Sequence, residues 1–283
     1  MVYIPVLGAL ALSAGTVLER FILKKKKIGI GIYQTAGFLA ITLATLPFLY
    51  FFWKLDAGAF SLKNIIIFIG VIIASVTANL FVFYSLKWEK VTNLEPARIL
   101  EPLFVVLLAV IFSFFAEGLY ERNIKLIIPA IIAAVALIFP HIKKHHLGIN
   151  KYIIAAVFGS FFFALELVLS RLILDFYSPI TFYFLRCIFI FLISLAIFRP
   201  NFKVLDKKTS AVIFITGAIW VLYRVITYFG YLNYGVIFTT LILMLGPMFV
   251  YILANIFLKE KLNWKNIISS LIILACVVYV ILK

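Results

Sequence analysis

Long apolar runs, each interrupted by a short cluster of charged or turn-forming residues, follow one another along the chain. A helix needs about 20 apolar residues to cross the hydrocarbon core of a bilayer, and each run is close to that length. The pattern therefore predicts ten transmembrane helices, called spans below. They cover residues 4–23, 28–52, 64–86, 93–115, 124–140, 152–174, 179–198, 210–231, 236–258 and 266–282.

An internal repeat supports the even number of spans. The segments Leu100–Phe112 and Leu245–Phe257 share the pattern L-x-P-x-F-V-x-x-L-A-x-I-F, and Val17–Leu23 resembles Val168–Leu174 more weakly. Both matches pair one span with the span five positions later. The chain is thus predicted to form two five-helix halves, residues 1–140 and 141–283, within one transmembrane domain. Because each half has an odd number of spans, the second half is inverted, an arrangement typical of alternating access.

The boundary between spans eight and nine is the weakest one. The segment Tyr231–Val236 carries no charge, and only Asn233 and Gly235 indicate a turn. The count of ten depends on that turn.

Composition agrees with lipid as the solvent. Hydrophobic residues make up 65% of the 283 positions, charged residues make up 13%, and the mean hydropathy is +1.18. Such a chain is too apolar for one core surrounded by water, so we expect a multi-pass, all-α protein of the cell membrane. The net charge of +15 lies mostly in loops beside spans, where anionic lipid and topology explain it, and nucleic-acid binding is not expected.

Several segments resemble one transporter family. These segments are the repeated P-x-F pattern followed by Glu117 or Glu260, the run Asn79–Trp88 and the start of span seven, Thr181–Phe189. The arrangement of ten spans in two halves of five is similar as well. Together they resemble the EamA-like branch of the drug/metabolite transporter superfamily. The resemblance implies a secondary carrier of small metabolites such as amino acids or related solutes, with a cavity lined by both halves. The family includes exporters and importers, and export is the direction that we expect here.

The sequence departs from the family pattern at one position. Span two has Gln34 where its repeat partner, span seven, has Arg186, so an arginine often found in both halves occurs once. We include Gln34 among the expected substrate-binding residues.

Charged residues inside spans are the main candidates for function. Each costs about 2.5–3.5 kcal/mol near the bilayer centre unless it faces another charge, water or substrate. At a rise of about 1.5 Å per residue, Glu166, Arg186 and Arg224 fall near one level in the membrane. Our hypothesis is that both arginines form the polar floor of a substrate cavity and that Glu166 is their counter-ion.

A second set of charges lies in span four. Glu101 is deep enough for an apolar site to favour its protonated form, which makes it the candidate for proton coupling. Alternatively, Glu95, Arg98 and Glu101 pair along one helix face near the membrane surface. Their repeat counterparts are Thr240, Leu243 and Gly246, so the fold itself does not require these charges.

Uncharged polar residues could also contact a ligand. We select Tyr228 and Asn79 from a group that also includes Tyr84, Asn93, Tyr223 and Tyr231, although packing is the alternative role for each. Pro102 and Pro247 occupy matching repeat positions and are candidate hinges or simple kinks.

Nothing in the sequence indicates catalysis or a cofactor. His141, His145 and His146 could hold a metal, but the lysines between them favour a solvated loop. We expect a transporter whose partners are a small-molecule substrate and the lipid bilayer, with proton coupling as an option and a monomeric or homodimeric state. The alternatives are a multidrug or lipid-linked substrate exporter or flippase and, as the weakest option, a membrane-embedded transferase.

Basic residues are distributed unequally between the two membrane sides. Loops that follow odd-numbered spans carry 16 lysines and arginines, whereas the other loops, their adjoining span ends and the termini carry 6. The positive-inside rule then places the odd-numbered loops in the cytoplasm and both termini outside. The family resemblance implies the reverse, and the sequence leaves both orientations open.

Overall fold

The computed structural model describes residues 3–23, 28–88, 100–138, 151–249 and 264–282, together with Leu94 and Ala97. This part of the chain is helical, with short 3-10 turns and no named strand, which confirms the predicted all-α class. The helices are α1 Tyr3–Leu23, α2 Ile30–Phe52, α3 Leu62–Trp88, α4 Leu100–Ser113, α5 Ile124–Ile138, α6 Lys151–Arg171, α7 Pro179–Phe198, α8 Lys207–Asn233, α9 Val236–Leu243 and α10 Trp264–Ile281.

Each of these helices lies on one predicted span, and the weak boundary before α9 is a real turn. Six of the described helices are long and apolar enough to cross a membrane, namely α1, α2, α3, α6, α7 and α8. The others are shorter: span nine, for example, has a turn at Met244 and Leu245 before the helix resumes at 246–249. Large side chains on the outer surface, such as Tyr50 at 88% exposure and Phe115 at 84%, suit contact with lipid.

Small residues allow the helices to approach closely. A Cβ atom added to Gly159 of α6 would lie 2.6 Å from the side chain of Val82 in α3. A Cβ atom added to Gly217 of α8 would lie 3.0 Å from the Cβ of Ala40 in α2. Close backbone approach of this kind is how helices gain packing energy in lipid, where water does not drive them together.

Helix pairing follows the order that the repeat predicts. Helix α1 packs on α8, and α3 packs on α6. A shift of five helices along the chain turns α1 into α6 and α8 into α3, so the repeat relates these two pairs to each other. Helix α2 also packs on α7, and α5 packs on α10. In each of these pairs the two helices are repeat partners of each other. These are the contacts that two related halves require. The inverted repeat and the boundary at residues 140 and 141 nevertheless remain predictions.

Backbone hydrogen bonds join loops of the two halves on one membrane side. We call this face, which carries residues 53–61, 114–123, 172–178 and 234–235, the even-loop side, and the opposite face the odd-loop side. The Asp56 N–H donates to the Phe176 carbonyl at 2.9 Å, and the Ser178 N–H donates to the Lys54 carbonyl at 3.2 Å. These contacts link the end of α2 to the start of α7.

A second connection on the even-loop side is made by Glu121. Its carboxylate accepts backbone N–H groups of Val236 at 3.1 Å, Ile237 at 3.0 Å and Phe238 at 3.1 Å. These donors begin α9 and have no partner within the helix, so the loop of the first half caps a helix of the second. Burial raises the pKa of the Glu121 carboxyl above its ordinary value, and the three N–H donors oppose that rise.

We expect Gly235→Ala to destabilise the protein. Gly235 has φ +91°, and an added Cβ would lie 2.1 Å from a carboxylate oxygen of Glu121. The positive φ alone costs alanine about 1–2 kcal/mol, and the clash displaces the cap as well. The measurement is thermal unfolding in detergent. Gly70→Ala is the control, because its nearest neighbour would lie at 3.8 Å and alanine favours a helix. Equal unfolding temperatures for the two variants would contradict this account of the turn.

Candidate functional site

A cavity lined by charged, polar and apolar residues lies between the two halves of the helix bundle. Residues of α1 to α4 line one side and residues of α6 to α8 line the other, around a volume of about 80 Å³. A cavity of this volume can hold several water molecules. Five of the residues predicted for the site line it: Gln34, Asn79, Glu101, Arg186 and Arg224.

The cavity extends toward the odd-loop side. Glu19 lies four residues before the end of α1, and Tyr33 lies three residues after the start of α2, so both are within about 6 Å of that side. At the other end, Arg186 lies seven residues into α7, which is about 10 Å from the even-loop side. The two arginines therefore lie at the inner end of the cavity, and their role in substrate binding remains a prediction.

Arg186 is held by two partners behind the cavity wall. Its Nη1 atom forms an ion pair with Oε1 of Glu166 and lies 2.6 Å from the hydroxyl of Tyr228. The Tyr228 hydroxyl donates to the same Glu166 oxygen at 2.8 Å. Glu166 and Tyr228 are fully buried, at 0% exposure. They hold the arginine in place, and neither lines the cavity.

Local sequence explains how Arg186 reaches this position. Ser178 caps the start of α7 by accepting the Thr181 N–H at 3.2 Å, and Pro179 occupies the first helical turn, where its missing N–H costs nothing. The loop contact to α2 fixes the same helix end. Arg186 then lies two turns further along, with its guanidinium 4.8 Å from the ring centre of Tyr183.

Arg224 shares the same carboxylate but is held less firmly. Its Nη1 lies 3.2 Å from Oε2 of Glu166. Its guanidinium also lies 5.6 Å from the ring centre of Phe163 and 5.5 Å from that of Tyr223. Although 94% buried, Arg224 makes no hydrogen bond to any residue that the structure describes. Both arginines thus form an ion pair with Glu166, and its role in the substrate site remains a prediction.

The uncharged candidates differ in how they are held. The Gln34 amide donates to Ser194 at 3.0 Å, and its carbonyl oxygen is buried without a hydrogen-bond partner among the described residues. The Asn79 amide donates to the Ser75 carbonyl at 2.7 Å within α3. Both side chains reach the cavity wall, so both remain candidates for ligand contact.

Other predicted residues lie away from the cavity. Tyr84 packs against Tyr152 on the outer surface of α3 and α6, and Tyr231 contacts Thr240, which joins α8 to α9. Pro102 lies in the first turn of α4, and Pro247 directly follows the interruption of span nine. Their role as hinges remains a prediction. Glu95, Asn93, Arg98, Glu260 and the histidine cluster at 141–146 lie outside the described residues.

Sequence reasoning missed Glu19. This carboxylate lines the cavity, is buried, and accepts the Tyr33 hydroxyl at 3.2 Å. A signal existed, because Glu19 lies inside the first span, but its closeness to the basic run at 24–27 made it resemble a helix-end charge. Within the described part of the chain, no group of three or more metal-ligating side chains is placed to hold an ion.

Comparison with protein families agrees with this architecture. Residues 150–282 match the EamA-like transporter family. This match covers the second half of the chain. Because the EamA-like family is part of the drug/metabolite transporter superfamily, the resemblance seen in the sequence is confirmed. The match suggests a membrane transporter of small solutes.

A solved structure shares the fold of almost the whole chain. One crystal structure matches with a TM-score of 0.70, and the match covers 99% of this chain and 95% of the other. The two sequences are 14% identical, so the likeness concerns the fold alone. No curated protein matches the chain significantly.

Glu166→Gln should destabilise the fold strongly. The change leaves two buried guanidiniums without a carboxylate, and breaking a buried ion pair costs about 3–5 kcal/mol. We expect a large fall in the unfolding temperature in detergent, or loss of the monodisperse peak in gel filtration. Glu117→Gln, at an exposed loop position, is the matched control. Wild-type stability of Glu166→Gln would show that the carboxylate does not hold the two arginines.

Proposed function

We propose that the protein is a secondary active transporter that moves small polar metabolites, such as amino acids or related solutes, by alternating access. The observation that carries this proposal is the cavity between the two halves, with buried arginines at its inner end. Loop hydrogen bonds and the Glu121 cap join the two halves on the even-loop side. The cavity extends toward the opposite side, which is the arrangement of a carrier closed at one face.

The charged inner wall favours polar cargo over the apolar cargo of a multidrug exporter or flippase. A purely apolar substrate gains nothing from two arginines, whose burial costs free energy. With the odd-numbered loops in the cytoplasm, as the charge distribution favours, the cavity would load from the cytoplasm of the cell. This supports export across the cell membrane as the proposed direction.

The test is a flux measurement in proteoliposomes. Radiolabelled amino acids, organic anions and organic cations are supplied one at a time, and we expect saturable flux of at least one class. Gly37→Phe should reduce this flux at least about tenfold, because a Cβ at Gly37 meets no atom within 4 Å and the ring would fill the cavity. Gly70→Phe, on α3 outside the cavity lining, is the control. Absence of saturable flux, or full flux through Gly37→Phe, would overturn the proposal.

We also propose Glu101 as the proton-coupling residue. It lines the cavity from the first turn of α4, and Tyr223 and Arg224 line the same cavity from α8. Glu101→Gln should abolish the stimulation of flux by an imposed pH gradient while leaving exchange of labelled for unlabelled substrate intact. The control is Glu117→Gln. Full retention of pH-driven accumulation in Glu101→Gln rejects this role.

A further inference from the structure

We propose that the cavity recognises a carboxylate group of its substrate, and that Arg224 is the residue that binds it. This inference rests on the proposed transport function and names the chemical class of the cargo. The cargo would be a small organic acid or a zwitterion such as an amino acid, rather than a cation or an uncharged solute.

The first argument is the balance of charge at the inner wall. Arg186 and Arg224 carry two positive charges, and their ion-pair contacts in the described part of the chain go to the single carboxylate of Glu166. Glu19 and Glu101 also line the cavity, but in the described part of the chain neither forms an ion pair with Arg186 or Arg224, so direct contact leaves one positive charge of this cluster uncompensated. Because the surroundings are buried and aromatic, such a charge attracts an anion far more strongly than it would in water.

The second argument is the difference between the two arginines. Arg186 is committed, because one of its nitrogens contacts both Glu166 and Tyr228. Arg224 contacts Glu166 through one nitrogen only, at 3.2 Å and without the geometry of a hydrogen bond. A guanidinium offers five N–H donors in a planar fork that matches a carboxylate. Arg224 lines the cavity and is nine-tenths buried, so this fork is available to an anionic group of the substrate.

The third argument is the position of the rings around Arg224. Phe163 and Tyr223 lie against its guanidinium and restrict the directions in which the side chain can turn. A fork held in this way loses little conformational entropy when a ligand binds. Trp220 lies one helical turn before Arg224 and lines the same cavity, which provides an optical reporter close to the proposed site.

The experiment compares each acid with its amide, in which a neutral amide group of the same shape replaces the carboxylate. Purified protein is titrated with leucine and leucinamide, and with isovalerate and isovaleramide, while Trp220 fluorescence is recorded in a variant whose other tryptophans are phenylalanine. The same four compounds compete against labelled flux. We expect the acids to bind at least about tenfold more tightly than the amides. Equal affinities for acids and amides would overturn the inference, and so would quenching by chloride or phosphate alone.

Variants at position 224 test the residue itself. Arg224→Gln leaves the Arg186–Glu166 pair intact, with one charge of each sign, so the protein should fold, as gel filtration can check. It should lower the affinity for acids to that for amides. Arg224→Lys keeps the charge without the fork and should give an intermediate affinity, and it replaces the Gln variant if that one misfolds. Arg199→Gln, an exposed charge removal, should preserve the wild-type preference.

The two proposals can fail separately. Saturable flux without preference for acids would disprove carboxylate recognition and leave the transport function standing. Discrimination between acids and amides in the fluorescence titration, without flux of any solute, would disprove transport and support the binding site. Retention of the acid preference in Arg224→Gln would exclude Arg224 as the residue that recognises the carboxylate.

Discussion

Glu166 lies between Arg186 and Arg224. These three charged side chains belong to three different helices and meet inside a bundle surrounded by lipid. A charge at this depth is tolerated only when an opposite charge, a hydrogen bond or trapped water compensates it. The contact therefore fixes the height and rotation of α6, α7 and α8 relative to one another. Once these helices are fixed, Tyr183, Tyr223 and Phe163 necessarily surround the guanidiniums.

The molecule is built differently at its two membrane faces. On the even-loop side, main-chain hydrogen bonds between loops and the Glu121 cap connect the halves, and aromatic rings such as Phe182 and Tyr228 fill the space beneath them. Above the arginines, polar residues and small residues such as Gly37 leave a cavity. The charged cluster is the boundary between these two regions, which is where a carrier needs its binding site.

Much of the fold was predictable because the bilayer imposes a strict length on each helix. The ten spans and the common level of Glu166, Arg186 and Arg224 follow from counting residues at a fixed rise per residue. Pairing of Arg186 with Glu166 follows because a charge in lipid needs a compensating partner and Glu166 lies at the same level. The assignment of Tyr228 as a partner of that pair was less predictable, since most aromatic residues in spans only pack.

Other features depend on geometry that the sequence does not encode locally. Glu121 caps α9 across more than a hundred residues, and nothing near Glu121 indicates a helix start so far along the chain. Glu19 was missed because depth within a span is hard to judge at a helix end, where one turn separates lipid from water. The packing of Tyr84 against Tyr152 was not predictable for a different reason: the sequence gives the depth of Tyr84 but not the direction in which α3 faces.

The two hydrogen bonds that seal residues 53–56 against residues 176–178 join peptide groups rather than side chains. Peptide groups are present whatever amino acid occupies a position, apart from the N–H that proline lacks. Evolution could therefore change the residues of these two loops extensively without losing the seal, whereas the buried charges allow no such freedom. Proteins built on this plan should then differ most in these loop segments and least in the buried charged residues.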